Sequence, residues 1–423
     1  MTGKQLEYAI NLSKRIKEKT NAKVIWGGIH ATLLPNETIK NDYIDIIIRG
    51  EAEQAILEIV QALERNTSLE FVSNIYYKEI NKEEKIKYKS NPRKGYINME
   101  EILPIPWKLV DVEKYVFKYK EKRKKIRELD IGETSRGCPK SCYFCYNLTI
   151  NKSTWRAMNP KQVIERVKKV IYKYKINKIM FRDDDFFANI KRVEQICKEL
   201  KKLKIKWYAS GIRIETFNKM TDAQIKLIKE SGCESFRFGI ESGSNRILRK
   251  INKKLSLKEA IKANKKCKKL EITPHYSFMI GFPDETEKDL IATVKLIDKL
   301  KKDNPKAIIH GVNIFTPYPG TVLYKLCQKE GMKTPSNTKE WIKFHHLELV
   351  TPNLNSRIRK IVKTINNLSY ITSDITFNKL PTKLKIMIFP LYIWAKIRWK
   401  QRWFSFAPEI VLFEKVRKII YGI

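Results

Sequence analysis

Cys138, Cys142 and Cys145 stand on one short segment, Arg136-Gly137-Cys138-Pro139-Lys140-Ser141-Cys142-Tyr143-Phe144-Cys145-Tyr146. The spacing C-x3-C-x2-C brings three thiolates to one centre and no fourth. An iron–sulfur cluster held that way keeps one iron without a protein ligand, where a small molecule can bind. A structural zinc site would close its tetrahedron with a further Cys or His nearby, and none follows before Cys197. The open cluster is the expected chemistry.

The elements around this loop recur with a regular beat between about 130 and 330. Strands are predicted at 130–134, 178–182, 206–212, 235–240, 273–280 and 308–315, each short, apolar and mostly rich in β-branched or aromatic residues. Helices between them have readable starts. Asn159 and Pro160 form an N-cap and first-turn proline with Gln162 placed for a capping box, and Ser256–Glu259 and Thr221–Gln224 repeat the box. Gly232 stands where a helix should end. Six strand–helix units imply a parallel sheet with right-handed crossovers, curled into a partial barrel. Function then gathers where strands lead into helices. The polar outliers fall there: the cysteine loop, Asp183-Asp184-Asp185, Arg213, Glu241-Ser242-Gly243, Gly281-Phe282-Pro283 and Pro317–Gly320.

At 423 residues the chain can bury a sizeable core. Its formal charge of +39 invites a nucleic-acid reading. Lysine is spread over nearly every segment rather than gathered on an aromatic-laced patch, so nucleic acid is not the expected partner. Cys197, Cys233, Cys267 and Cys327 are scattered singly, which is no disulfide framework. With no signal peptide read at the N-terminus, a reducing cytoplasm is expected. The most apolar late stretch, 386–399, is broken by Pro390, Lys396 and Arg398 and is too short to span a bilayer.

Residues 1–66 read as a second α/β unit: a helix at 4–19, a strand at 22–26 ending in Gly27-Gly28, a strand at 43–48 ending in Gly50-Glu51, and a helix at 52–63. Two strands alone leave bare edges, so the unit looks incomplete. Residues 67–128 read as a connector with a hairpin at 71–77 and 85–88, and 118–125 as a solvated charged stretch. The barrel occupies 129–335. A helical, basic and aromatic extension, 336–423, is expected to cover the barrel's open side, with a membrane surface as the sharper alternative. The fold class is α/β, a partial (β/α)6 TIM-like barrel preceded by the C-terminal part of a Rossmann-like domain.

The cysteine loop, with Phe144 just before its last cysteine, resembles that of the radical SAM superfamily, and the six units resemble its partial barrel. The resemblance implies that Cys138, Cys142 and Cys145 bind three irons of a 4Fe-4S cluster whose fourth iron chelates S-adenosylmethionine. Reductive cleavage then gives methionine and a 5′-deoxyadenosyl radical. It also implies cofactor contacts. Phe144 or Tyr143 would lie near the adenine, and Asp183 and Asp184 near the methionyl amine. Arg213, Glu241 and Ser242 would lie near the carboxylate and ribose, unless Arg213 and Glu241 pair with each other. A flavodoxin- or ferredoxin-type reductant is implied as well.

Trp26-Gly27-Gly28-Ile29-His30-Ala31-Thr32, Gly50-Glu51-Ala52-Glu53, Phe181–Phe186 and Gly239–Gly243 are similar to the subfamily that carries a cobalamin-binding domain. There Gly27 and Gly28 would approach the cobalamin, while His30 is equally a packed turn histidine. The front half of that domain, with its Asp-x-His-x-x-Gly motif, is absent from the sequence, so cobalamin binding stays open. The expected activity is carbon methylation or oxidative cyclisation of a lipid, tetrapyrrole or secondary metabolite. The alternatives are a non-catalytic truncated remnant and a basic nucleic-acid-associated iron–sulfur protein. His275, His310, His345 and His346 show no ligand spacing.

Overall fold

The alternation of short apolar runs with one-faced helices resolves into curled parallel sheet. The computed structural model describes residues 3–80, 83, 85–121, 124–344, 348–373, 377 and 382–405. His345, His346 and the tail beyond 405 lie outside them. The chain forms two compact units, Met1–Ile102 with Thr316–Val350, and Leu103–Phe315 with Thr351–Ile423.

In the first unit, the helices Lys4–Lys19 and Glu53–Glu64 lie within a residue of their predicted spans. Strand β1 (Ile25–Trp26) runs parallel to β2 (Ile46–Ile48). The hairpin expected in the connector, β3 (Ile75–Ile80) with β4 (Ile86–Ser90), joins this sheet, with β3 antiparallel to β2. One edge left bare by the two parallel strands is thereby paired. Ile46, Ile48, Ile59, Val72 and Ile75 make the core beneath. His30 is 7% exposed and sits edge-on to Trp341, ring centroids 6.0 Å apart. Burial pushes its imidazole down to about 4, so it packs as a neutral ring.

The second unit opens with β5 (Phe117–Glu121) and β6 (Lys124–Asp130), an antiparallel hairpin. This corrects one expectation: the first barrel strand is 124–130 rather than 130–134. The charged stretch 118–125 is solvated as expected, with Lys118, Lys120, Lys124 and Lys125 exposed, and most of it is also sheet. Residues that look exposed pair across the strands: Tyr119 donates to Glu128 at 2.9 Å, and Lys178 faces Glu128 at 3.4 Å. Strand β7 (Ser135–Gly137) and β8 (Trp155–Ala157) form a small antiparallel clasp that closes the cysteine loop. Strand β6 is parallel to β9 (Lys178–Phe181), and β9 to β10 (Lys206–Ala209). Parallel bridges Trp207–Cys233 and Ile212–Phe238 carry the curl to β11 (Ser235–Glu241). Strands β12 (Thr273–Ile280) and β13 (Ile308–Ile314) complete six parallel strands.

Alternation along each strand decides what faces inward. Phe236, Phe238, Tyr276 and Phe278 are buried under the helices, while Arg237, His275 and Ser277 take the other face. The open edge at β13 is managed by the helix Ser356–Ile371. Ser369 Oγ accepts the Val312 N–H at 2.8 Å, and Asn366 Nδ2 donates to the Val312 carbonyl at 2.6 Å. That helix is the observed cover of the barrel edge.

The helices start as their caps dictate. Asn159 accepts from Gln162 N, and both Thr221/Gln224 and Ser256/Glu259 form reciprocal boxes. A third box, Thr286/Asp289, opens the helix Glu287–Asp303. Its Asp289 also accepts from Ser244 Oγ and Arg246 Nη2, each at 2.5 Å. Burial pushes this carboxyl up, but the bonds from Arg246, Ser244 and Thr286 outweigh it and hold it below its usual range. A depressed carboxylate stabilises the fold above its ordinary value of 3.8 and loses that contribution as pH falls through the lower folded value. Asp289→Asn is expected to cost about 1.5–3 kcal/mol at neutral pH. Thermal melts of the variant and the parent should converge as the solution is acidified below that range; a constant gap would refute the ionic origin.

Candidate functional site

The cysteine loop is built before any ligand is considered. Gly137 has φ of +86°, and a Cβ there would meet the Thr154 carbonyl oxygen at 2.0 Å, so only glycine fits ahead of Cys138. Cys145 N donates to the Cys142 carbonyl at 3.1 Å, tightening the last turn. The loop is also tied to the segment after the helix Asn245–Lys250. Tyr143 N donates to the Ile251 carbonyl at 3.0 Å, and Asn252 Nδ2 donates to the Ser141 carbonyl at 2.8 Å.

The three cysteines line one cavity of about 380 Å³ together with Phe144, Asp184, Arg213, Glu241 and Lys253. Arg213 Nη1 lies 3.8 Å from Cys142 Sγ, and Cys138 Sγ lies 3.7 Å from Asp185 Oδ2. Burial pushes the Cys138 thiol up to about 12 and the Cys145 thiol up to about 11. Thiols so placed keep their protons until a metal displaces them. Among the described residues no three His, Cys, Asp or Glu side chains close on a single ion position.

The triplet after β9 divides its labour. Asp183 is 1% exposed and lies behind the cavity wall. Its Oδ1 accepts from Thr134 Oγ1 at 2.8 Å and Ser135 Oγ at 2.5 Å, and both its oxygens lie 3.2 Å from Thr134 N. Asp184 faces the cavity, accepting from Gly137 N at 3.1 Å and Tyr146 OH at 3.2 Å. Asp185 holds the Trp155 indole through its carbonyl at 3.0 Å, and burial pushes its carboxyl up to about 6.

Arg213 and Glu241 do not pair with each other, which corrects that alternative. Arg213 Nε donates to Glu215 Oε1 at 2.8 Å and Nη2 to the Lys253 carbonyl at 2.9 Å. Burial would lower the guanidinium's pKa, but Glu215 and Cys142 outweigh it and hold it above its ordinary value. Glu241 Oε1 instead accepts from Lys253 Nζ at 2.9 Å, with the backbone at φ +74° on a bulge in β11. Gly239 makes this seat: a Cβ there would meet Glu241 Oε1 at 2.2 Å. Lys253 Nζ also stands 5.7 Å over the Phe144 ring. Ser242 is fully buried, its Oγ accepting Ser244 N at 3.1 Å, and it does not line the cavity.

Lys253, Glu215 and Tyr146 were not legible as site residues. Lys253 stands among many lysines in the sequence, and only the turn after Lys250 turns it inward. In the first unit Gly27 and Gly28 follow β1. Gly28 has φ of +81°, and a Cβ on it would meet nothing within 4 Å, so its backbone is open to a ligand.

A family model described as the radical SAM superfamily matches residues 133–297. The chain is 35% identical over 336 residues to an uncharacterised methyltransferase of Pyrococcus horikoshii, spanning 78% of this chain and 68% of that one. It is 23% identical over 314 residues to an anaerobic magnesium-protoporphyrin IX monomethyl ester cyclase of Cereibacter sphaeroides, covering 72% of this chain and 48% of the relative. Among solved structures it is similar in fold to the cobalamin-dependent S-adenosylmethionine radical enzyme OxsB with aqua-cobalamin and S-adenosylmethionine bound. The TM-score is 0.68 at 17% identity, over 95% of this chain and 62% of that one. The methyltransferase TsrM of Kitasatospora setae, with cobalamin and a 4Fe-4S cluster bound, gives a TM-score of 0.60 at 13% identity, over 78% of this chain and 64% of that one.

Proposed function

Because this chain belongs to the radical SAM superfamily and is an enzyme of that class, we propose that Cys138, Cys142 and Cys145 hold a 4Fe-4S cluster and that S-adenosylmethionine occupies the adjoining cavity. The single observation that carries this is that three thiols, one buried and two half-buried, line one cavity together with Asp184, Glu241 and Lys253. When bound, cluster and sulfonium supply reductive C–S cleavage to methionine and a 5′-deoxyadenosyl radical. The chain's own residues do the rest. Arg213 places a fixed positive charge 3.8 Å from Cys142 Sγ, on the side of the cavity where the anionic cluster would sit. Asp184 offers acceptor oxygens to an ammonium group, the Lys253 ammonium favours a carboxylate, and Phe144 offers a flat apolar face.

The reaction we propose is carbon methylation, supported by the Pyrococcus relative. Cobalamin is the proposed methyl carrier, supported by the folds of OxsB and TsrM and by the open backbone at Gly28. Anaerobic reconstitution with iron and sulfide, then S-adenosylmethionine with dithionite or a flavodoxin, is the test. Both 5′-deoxyadenosine and S-adenosylhomocysteine should be read, since methyl transfer to cobalamin gives the second without the first. A fully loaded protein that forms neither product overturns the proposal.

The helix Thr382–Gln401 favours an addition to this reading. One side, Ile388, Tyr392, Ala395 and Arg398, is buried; the other exposes Ile386, Met387, Phe389, Ile393, Trp394 and Ile397. Among the described residues no helix is long and apolar enough to cross a membrane. We propose that this stripe, flanked by Lys383, Lys396 and Lys400, lies on an anionic lipid surface. The protein should float with phosphatidylserine-containing vesicles, and Ile393→Glu with Trp394→Glu should release it. Equal flotation of the double variant would discard the idea.

A further inference from the structure

Arg237 on β11, His275 on β12 and His310 on β13 form one basic group inside the barrel. Arg237 stands in register with His275, and His275 Nδ1 meets His310 Nε2 at 2.7 Å. The same three residues line both the cysteine-side cavity and a second cavity of about 770 Å³. They form the neck where the two spaces meet.

The acids of the second cavity already have cations. Glu128 and Glu234 face Lys178 at 3.4 and 2.6 Å, Asp130 faces Arg182 at 2.6 Å, and Glu121 faces Lys206 at 3.0 Å. On the cysteine side Glu241 holds Lys253. Arg237 has a ring in place of a carboxylate: its guanidinium carbon lies 4.4 Å from the Tyr208 centroid. Its Nε is buried, with no hydrogen-bond partner among the described residues. A partly desolvated guanidinium with an unused donor is unfavourable unless something anionic completes it. Its planar fork matches a carboxylate or a phosphate.

We propose that this neck is an anion subsite, in which Arg237, flanked by the His275–His310 pair, holds a carboxylate or phosphate group of the substrate. The inference rests on the radical SAM reading, because it places the rest of the substrate toward the cysteine end of the barrel. It narrows the substrate class to anionic molecules and makes Arg237 a specificity determinant.

The test uses the full-length, iron-loaded protein, with inorganic phosphate and succinate as probes. Calorimetry should show one saturable site for at least one of them, and imidazole NMR signals should move for two of the five histidines. Arg237→Gln should weaken binding about tenfold or more, while Lys201→Gln, an exposed lysine paired with Glu230 and lining neither cavity, should leave it unchanged. Matching melting temperatures of Arg237→Gln and the parent would show that the variant is folded; if it is not, Arg237→Lys replaces it, with an intermediate affinity expected. Preference for phosphate over succinate, or the reverse, assigns the group. No binding of either probe, or equal binding to parent and variant by the many surface lysines, overturns the subsite. Formation of 5′-deoxyadenosine by the same parent preparation separates that failure from failure of the radical SAM reading.

Discussion

Alanine in place of Cys142 is expected to give a folded, colourless protein that no longer takes up iron and forms no 5′-deoxyadenosine. Cys142 is the buried member of the trio and has Arg213 at 3.8 Å from its sulfur. Removing the thiol takes away one of the three proposed cluster ligands, and Asp184 and Glu241 beside it already serve Tyr146 and Lys253. The hard chemistry belongs to the cofactor, so turnover should fall to the uncatalysed background, a loss of roughly 10⁶-fold or more. Cys138→Ala and Cys145→Ala should behave alike. Cys197→Ala and Cys267→Ala, single buried thiols on the helices Ile190–Leu203 and Leu257–Lys269, should keep iron and activity. Iron content and visible absorbance after reconstitution decide the matter. Retention of a full cluster by any one of the three variants would disprove the assignment of that ligand.

Asp183→Ala should be the most destabilising single change in the barrel. Burial raises the carboxyl's pKa, opposed by the bonds from Ser135 and Thr134 and by the charge of Arg192. Arg192 is itself buried, donating to the Thr134 carbonyl at 3.1 Å and to Thr134 Oγ1 at 2.9 Å. Cutting out the acid leaves a guanidinium without its counter-charge and orphans the donors at the mouth of the cysteine loop. The expected penalty is about 3–5 kcal/mol, read as a lower urea midpoint at unchanged slope. Asp183→Asn keeps the shape and one acceptor and should lose less. A penalty below about 1 kcal/mol for Asp183→Ala, with cofactor binding lost instead, would return this residue to the cavity.

The three consecutive aspartates after β9 show how far the sequence could be read. Asp183, Asp184 and Asp185 are identical in type and position after a strand, so their placement at the site was legible. Which one turns into the wall depends on Ser135, distant in sequence, and on Arg192 at the start of the next helix, both of which meet the acid only in the folded barrel. Helix starts were legible because Asn159, Thr221 and Ser256 act within three residues of themselves. The first barrel strand was misplaced because 124–130 carries charge on both faces. Its lumen acids become tolerable only opposite Lys178 and Arg182, a tertiary circumstance that local propensity does not contain. The pairing of Arg213 with Glu215 rather than Glu241 has a similar origin. Glu241 is captured by Lys253, and the bulge in β11 that aims it cannot be read from composition.

The ties from Tyr143 to Ile251 and from Asn252 to Ser141 fasten the loop to its neighbours through the chain's own hydrogen bonds. If the proposed cluster is lost to oxygen, these bonds are expected to hold the polypeptide in shape, so that iron and sulfide restore the bleached protein in place; a melting temperature that collapses on iron removal would refute this.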